Sequence, residues 1–259
     1  MSQPYFLFVT GSFVPPPFYD DLVEKVRAQG HEIKVLHLPT VGSAPGKPGI
    51  TPAPTMYDDA ALVAKEAKAL ADAGKEVILV AHSYGGFPAT ESIKGLSVEA
   101  RKKEGKKGGI VRIAYKTALV AKPGRTAGEV LPPPEEGAPR SQTDENGWLY
   151  VGDPERGAKT CFSDLPREEG LRRHAQFAMH SGVSFTNPLT YPGYKDVPVS
   201  YFLCEDDLVV FPEIQRGEIE MIEAETGRKV DVTSVKAGHC PHTSVPEKVV
   251  DWFRHLALL

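Results

Sequence analysis

Cysteine is scarce: Cys161, Cys204 and Cys240 are too few and too scattered to form a disulfide framework or a spaced zinc site. Their scarcity points to reduced thiols in a cytoplasmic setting. Excess positive charge is absent as well. The chain has 30 Lys and Arg against 34 Asp and Glu and a net charge of -4, so no global field draws in nucleic acid or an anionic membrane. The one basic run, ARKKEGKKGG at 100–109, reads as the solvated end of a helix and the loop after it. Long apolar runs are lacking too. The apolar stretch in the N-terminal MSQPYFLFVTG has no charged residues before it and is too short for a signal-peptide core or a membrane span. Internal repeats are not found. What remains is 259 residues at 41% hydrophobic and 25% charged, the composition of a folded soluble protein long enough for one domain with insertions.

Strand-like and helix-like stretches alternate along the chain. YFLFVTG, EIKVLHL, EVILVAHS, GIVRIAYKTALVA, VPVSYFLCEDD and VDVTSVKAGH read as strands, the continuous apolar ones as strands buried on both faces. Between them lie helical stretches at 18–30, 57–74 and about 212–226, the helix opened by GGFPATESIKGL, and an amphipathic C-terminal helix, SVPEKVVDWFRHLALL. The alternation predicts an α/β fold with a mostly parallel sheet and helices on both faces. The pattern breaks over 122–196, too long for a plain connection, which is expected to form a lid inserted into a core made of 1–121 and 197–259. A lid helix is expected at about 164–180. Trp148, Phe177, Phe185, Tyr191 and Tyr194 are placed to cover a pocket, and Trp148, Phe177 and Tyr191, with Phe13, are the expected substrate-binding aromatics.

At the end of the third strand, Ala81-His82-Ser83-Tyr84-Gly85 has the form small-x-Ser-x-Gly. A serine on a strained strand-to-helix turn needs small residues two before and two after it, where strand and helix pack together. Its hydroxyl is a poor nucleophile alone and requires a base and an orienting acid. His239, just after the last strand, is the first choice of base, with His242 as rival. His82 should point away from Ser83, and His31, His37, His174, His180 and His255 read as packing or surface residues. Glu205, Asp206 and Asp207 follow the preceding strand, and Asp207 is preferred as the acid over Asp206. These carboxylates and histidines lack an established metal-ligand spacing, and no metal or cofactor is implied.

The chain resembles the α/β-hydrolase superfamily, and most of all its small-lid, esterase-like members of fungi and bacteria. The residues carrying the resemblance are VTGSF, AHSYGG, CEDDLVVFP and AGHCPHTSVPEKV, which span 9–249. The resemblance implies the acid at Asp207, the base at His239, and an oxyanion hole from the amides of Tyr84 and Ser12, with Phe13 as the alternative in the loop. The family's usual His-Gly pair after the first strand is Thr10-Gly11 here. The implied reaction is hydrolysis of a mid-sized, partly apolar ester or lactone through an acyl-enzyme. Alternatives are C–C bond hydrolysis on the same triad or a non-catalytic ligand receptor. Cyanohydrin lyase chemistry is disfavoured, because the places of its threonine and lysine hold Gly11 and Cys240. A homodimer is left open.

Overall fold

Alternate residues of the two most apolar strands enter different hydrophobic layers. Leu7, Val9, Leu79 and Ala81 belong to one, Phe6, Phe8, Ile78 and Val80 to the other, as the two-residue period of a strand covered on both sides requires. The computed structural model describes residues 3–132, 142–150 and 152–259. The chain runs through β1 (Tyr5–Val9), α1 (Asp20–Ala28), β2 (Ile33–Leu36), α2 (Met56–Asp72), β3 (Glu76–His82), α3 (Gly86–Ser92), α4 (Val98–Lys103) and β4 (Gly109–Lys116). After the intervening segment come β8 (Val199–Cys204), α8 (Pro212–Thr226), β9 (Asp231–Val235), α9 (Pro241–Ser244) and α10 (Pro246–Leu256).

The six long strands form one sheet in the order β2-β1-β3-β4-β8-β9, with every neighbouring pair parallel. The chain steps outward from β1 to β2 and then crosses back to β3. The carboxyl ends of β1 and β3 therefore flank the point where strand order reverses, the place where open α/β sheets leave a crevice. Local sequence sets the helix ends. Thr55 and Asp58 form a reciprocal capping box on α2. Pro212 opens α8, and Gly227 closes it at φ 66°.

Between β4 and β8 lie α5 (Ala127–Val130), a small antiparallel sheet of β5 (Gln142–Thr143), β6 (Trp148–Tyr150) and β7 (His180–Ser181), and two short helices, α6 (Pro154–Cys161) and α7 (Arg167–His174). Part of the proline-rich stretch expected in the lid, residues 133–141, lies outside the described residues. The single helix expected at about 164–180 is α7 alone. Pro166 stands at its N-cap, and beyond His174 the chain turns extended so that residues 177–181 pair with loops. α6 lies outside the expected lid helix; Asp153 caps it by accepting from the amides of Glu155 and Arg156, with Pro154 in the first turn. Among the described residues, no helix is long and apolar enough to cross a membrane.

Candidate active site

Ser83 lies between β3 and α3 with φ 54°, in the left-handed region that disfavours residues bearing a Cβ. Packing over-determines this turn. A Cβ on Gly85 would lie 2.5 Å from the Thr10 carbonyl oxygen, and one on Gly86 would lie 2.2 Å from that of Leu119. The second glycine of the AHSYGG stretch is thus as necessary as the first.

His239 follows β9 and places Nε2 3.0 Å from Ser83 Oγ. Its Nδ1 is 2.9 Å from Oδ2 of Asp207. A carboxylate accepts, so the proton sits on Nδ1, and bare Nε2 accepts from the serine hydroxyl. Asp207 is buried; its Oδ1 accepts from the amides of Val209 (2.7 Å) and Val210 (3.0 Å). Gln215 of α8, fully buried, braces this loop. Its Nε2 donates to the carbonyls of Val210 (2.7 Å) and Cys204 (3.2 Å) and reaches Asp207 Oδ2 at 3.3 Å, while its Oε1 accepts from the Cys204 amide. Nothing in the sequence singled out Gln215.

The rival residues face elsewhere. His82 Nδ1 accepts from Tyr19 Oη (2.8 Å), whose oxygen accepts from the Gly11 amide (3.1 Å). Its Nε2–H then donates to the His239 carbonyl (3.0 Å). Burial holds the His82 pKa well below the usual histidine range, so the ring is a neutral tie between the turn, the loop after β1 and the backbone of His239. His242 directs Nδ1 at Lys116 Nζ, 2.8 Å away, and stacks on Tyr19 rather than approaching Ser83. Asp206 is exposed, and Glu205 accepts from Ser234 at the surface. Among the described residues, no group of three or more His, Cys, Asp or Glu side chains is arranged to hold a metal ion.

Ser83 and His239 open into a cavity of about 310 Å³. Phe13 and Phe177 line it, their rings stacked with centroids 6.4 Å apart, and Leu131, Leu149, Phe185 and Val209 complete an apolar wall. Among the described residues, no Asp, Glu, Lys or Arg lines it. Two of the expected aromatics are not part of it. Trp148 is fully buried with its ring end against Gly49, where a Cβ would lie 2.6 Å from the ring. Tyr191 donates its hydroxyl to Asp196 (2.6 Å) and its amide to Glu91. In both cases the segment turns the ring toward a neighbouring loop or helix, which composition cannot reveal. Tyr194 is fully buried in the main core.

The loop after β1 brings Ser12 to the cavity beside Tyr84. The Phe13 amide is engaged with His180 Nδ1 at 3.4 Å, and among the described residues none accepts a hydrogen bond from the Ser12 amide. Tyr84 is anchored by its hydroxyl, which donates to Asp59 (2.8 Å). Asp59 also accepts from the amide and hydroxyl of Thr40. Burial nevertheless pushes its pKa up to about 7, because those hydrogen bonds only partly offset desolvation.

Comparison with known proteins finds relatives of this chain. The family model described as alpha/beta hydrolase family matches residues 6–252. A probable hydrolase of a Phoma species is 34% identical over 257 residues, covering 99% of both chains. A pyrethroid hydrolase of Sphingobium wenxiniae is 28% identical over 248 residues, 90% of this chain and 80% of that protein. The crystal structure of a pyrethroid hydrolase from Sphingobium faniae superposes with a TM-score of 0.72 at 26% identity, covering 99% of this chain and 98% of that one.

Proposed function

The chain belongs to the alpha/beta hydrolase family, and from that premise we propose that it is a serine hydrolase that cleaves a carboxylic ester or lactone through an acyl-enzyme. One observation carries the reading. A serine on a left-handed turn, a histidine 3.0 Å away and a buried aspartate 2.9 Å behind that histidine converge at the mouth of an apolar cavity.

Ser83 Oγ attacks the substrate carbonyl carbon while His239 Nε2 takes the hydroxyl proton. Asp207 holds the ring by its Nδ1–H and stabilises the imidazolium. The carbonyl oxygen becomes an oxyanion facing the amides of Ser12 and Tyr84. These backbone donors need no reorganisation when the charge develops, and removing one comparable donor costs about 3–4 kcal/mol. The tetrahedral species collapses, the alkoxide leaves with the proton from His239, and the acyl group stays on Ser83. Water then attacks the acyl carbon, giving its proton to His239, and the carboxylic acid departs as Ser83 recovers its hydrogen. A cavity wall with no Asp, Glu, Lys or Arg among the described residues suits a neutral, apolar substrate.

The test is turnover of a p-nitrophenyl butyrate substrate by the wild type and by Ser83→Ala. The variant is expected to lose about 10³-fold or more in kcat with the fold retained. Equal activity in the two proteins would remove Ser83 from the chemistry, and no turnover of any ester in a panel would favour a binding role for the cavity.

A further inference from the structure

The segment between β4 and β8 takes hold of one residue of the loop after β1 at both of its peptide groups. Phe13 sits at φ 66°, a conformation an isolated phenylalanine avoids. Its carbonyl accepts from the Ala178 amide at 2.7 Å, and its amide donates to His180 Nδ1. Both partners lie in residues 177–181, and that stretch is itself fastened to the loop after β2. Gly46 N–H donates to Phe177 O, Gly42 N–H to Met179 O, Met179 N–H to Lys47 O and Ser181 N–H to Thr40 O.

His180 is fully buried, and its neighbours fix its tautomer. Ser184 Oγ spends its proton on the Ser181 carbonyl (2.8 Å), so toward the ring it can only accept. His180 Nε2, 3.0 Å away, therefore carries the hydrogen, and Nδ1 is a bare acceptor facing Phe13. Burial pushes the His180 pKa down to about 3, so the ring stays neutral near neutral pH. The same ring packs edge-on against Tyr84, with centroids 4.7 Å apart.

Resting on the ester-hydrolysis reading above, we propose that His180 is a positioning residue for the oxyanion hole: by engaging the Phe13 amide and abutting Tyr84, it leaves the Ser12 amide as the loop's donor and holds it beside that of Tyr84. The segment bearing His180 thereby bears on transition-state stabilisation as well as lining the cavity through Leu149, Phe177 and Phe185.

The test compares His180→Phe, which keeps the ring but has no acceptor, with His180→Asn, whose amide oxygen can occupy the place of Nδ1, and with Ser184→Ala, which releases the tautomer. On p-nitrophenyl butyrate, His180→Phe is expected to lose about 10- to 100-fold in kcat with KM within about threefold, less than outright removal of an oxyanion donor. His180→Asn should recover to within about threefold of wild type, and Ser184→Ala should fall between. Wild-type kcat in His180→Phe, equal loss in the Phe and Asn variants, or a change confined to KM would each overturn the proposal. Should His180→Phe fail to fold, Ser184→Ala with undiminished kcat overturns it. Nitrogen-15 NMR of the wild-type imidazole gives a readout independent of turnover. The Nε2–H tautomer is expected, and an Nδ1–H tautomer would overturn the positioning role even in an inactive protein. Absence of Ser83-dependent turnover in the wild type would count against the ester reading instead.

Discussion

Asp206 and Asp207 are adjacent in sequence and opposite in environment. Asp207 is buried with its carboxylate shared among two amides, Gln215 and His239, whereas Asp206 projects into solvent. Replacing Asp207 by Asn puts an amide where His239 needs an acceptor, and the imidazole then favours the wrong tautomer. Asp207→Asn is expected to lower kcat by about 10³- to 10⁴-fold, against less than twofold for Asp206→Asn. Steady-state kinetics on one chromogenic ester checks the ranking, and the reverse order would move the acid by one residue. Ser83, Asp207 and His239 were legible in the sequence because each follows a strand and carries chemistry in its own side chain. Gln215 and His180 were not. Their decisive partners include backbone groups of Cys204, Val210 and Phe13, which leave no residue-type pattern.

At the scale of elements, the turn from β3 into α3 and the middle of α8 both contain glycine, for opposite reasons. A Cβ at Gly85 would collide with backbone of β1 and the loop after it, whereas Gly217 is exposed in α8 and, among the described residues, nothing lies within 4 Å of where a Cβ would stand. Gly85→Ala is therefore expected to cost about 2–3 kcal/mol or more, since the obstructing atoms are main-chain carbonyls that cannot swing aside. Gly217→Ala should stabilise by about 0.5–1 kcal/mol through helix propensity alone. Urea denaturation midpoints of the two variants measure both, and a stable Gly85→Ala protein would contradict the packing described for the turn. The core strands were readable because a parallel sheet covered on both faces writes itself as uninterrupted apolar runs. The segment between β4 and β8 was not, because its helices are short and polar. Their boundaries come from Pro166 and the Asp153 cap, and its aromatics turn by contacts with distant loops, as Trp148 does against Gly49.

For the molecule as a whole, pH dependence of stability is governed by buried ionisable groups rather than by the surface ion pairs, most of which are solvent-exposed and contribute little. Asp59 and Lys116 act in opposite directions. Burial raises Asp59 from its ordinary 3.8 to about 7, so its contribution is fully present below about pH 4 and is lost as pH rises through 7. Lys116, enclosed above the rings of Phe8 and Tyr19, is lowered from 10.5 to about 7 by desolvation. Its contribution is complete above about pH 10.5 and is lost as pH falls toward 7. Below about pH 6.5 the Asp59 limb is opposed by His82, His180 and His242, whose burial-lowered pKa values cost stability as pH falls, so the separable slope is that of Lys116 above neutrality, at most about 1.4 kcal/mol per pH unit. Lys116→Met keeps the apolar stem between the two rings and removes the charge. Its absolute stability also reflects the donor lost to His242 Nδ1, but that loss is the same at every pH where His242, held well below the usual histidine range by burial, is neutral. The slope is thus the clean observable. Between pH 7.5 and 9.0 the wild type should gain up to about 2 kcal/mol relative to Lys116→Met in paired urea denaturations. Parallel curves for the two proteins would mean that Lys116 keeps its proton in the folded protein over this range and that burial does not lower its pKa.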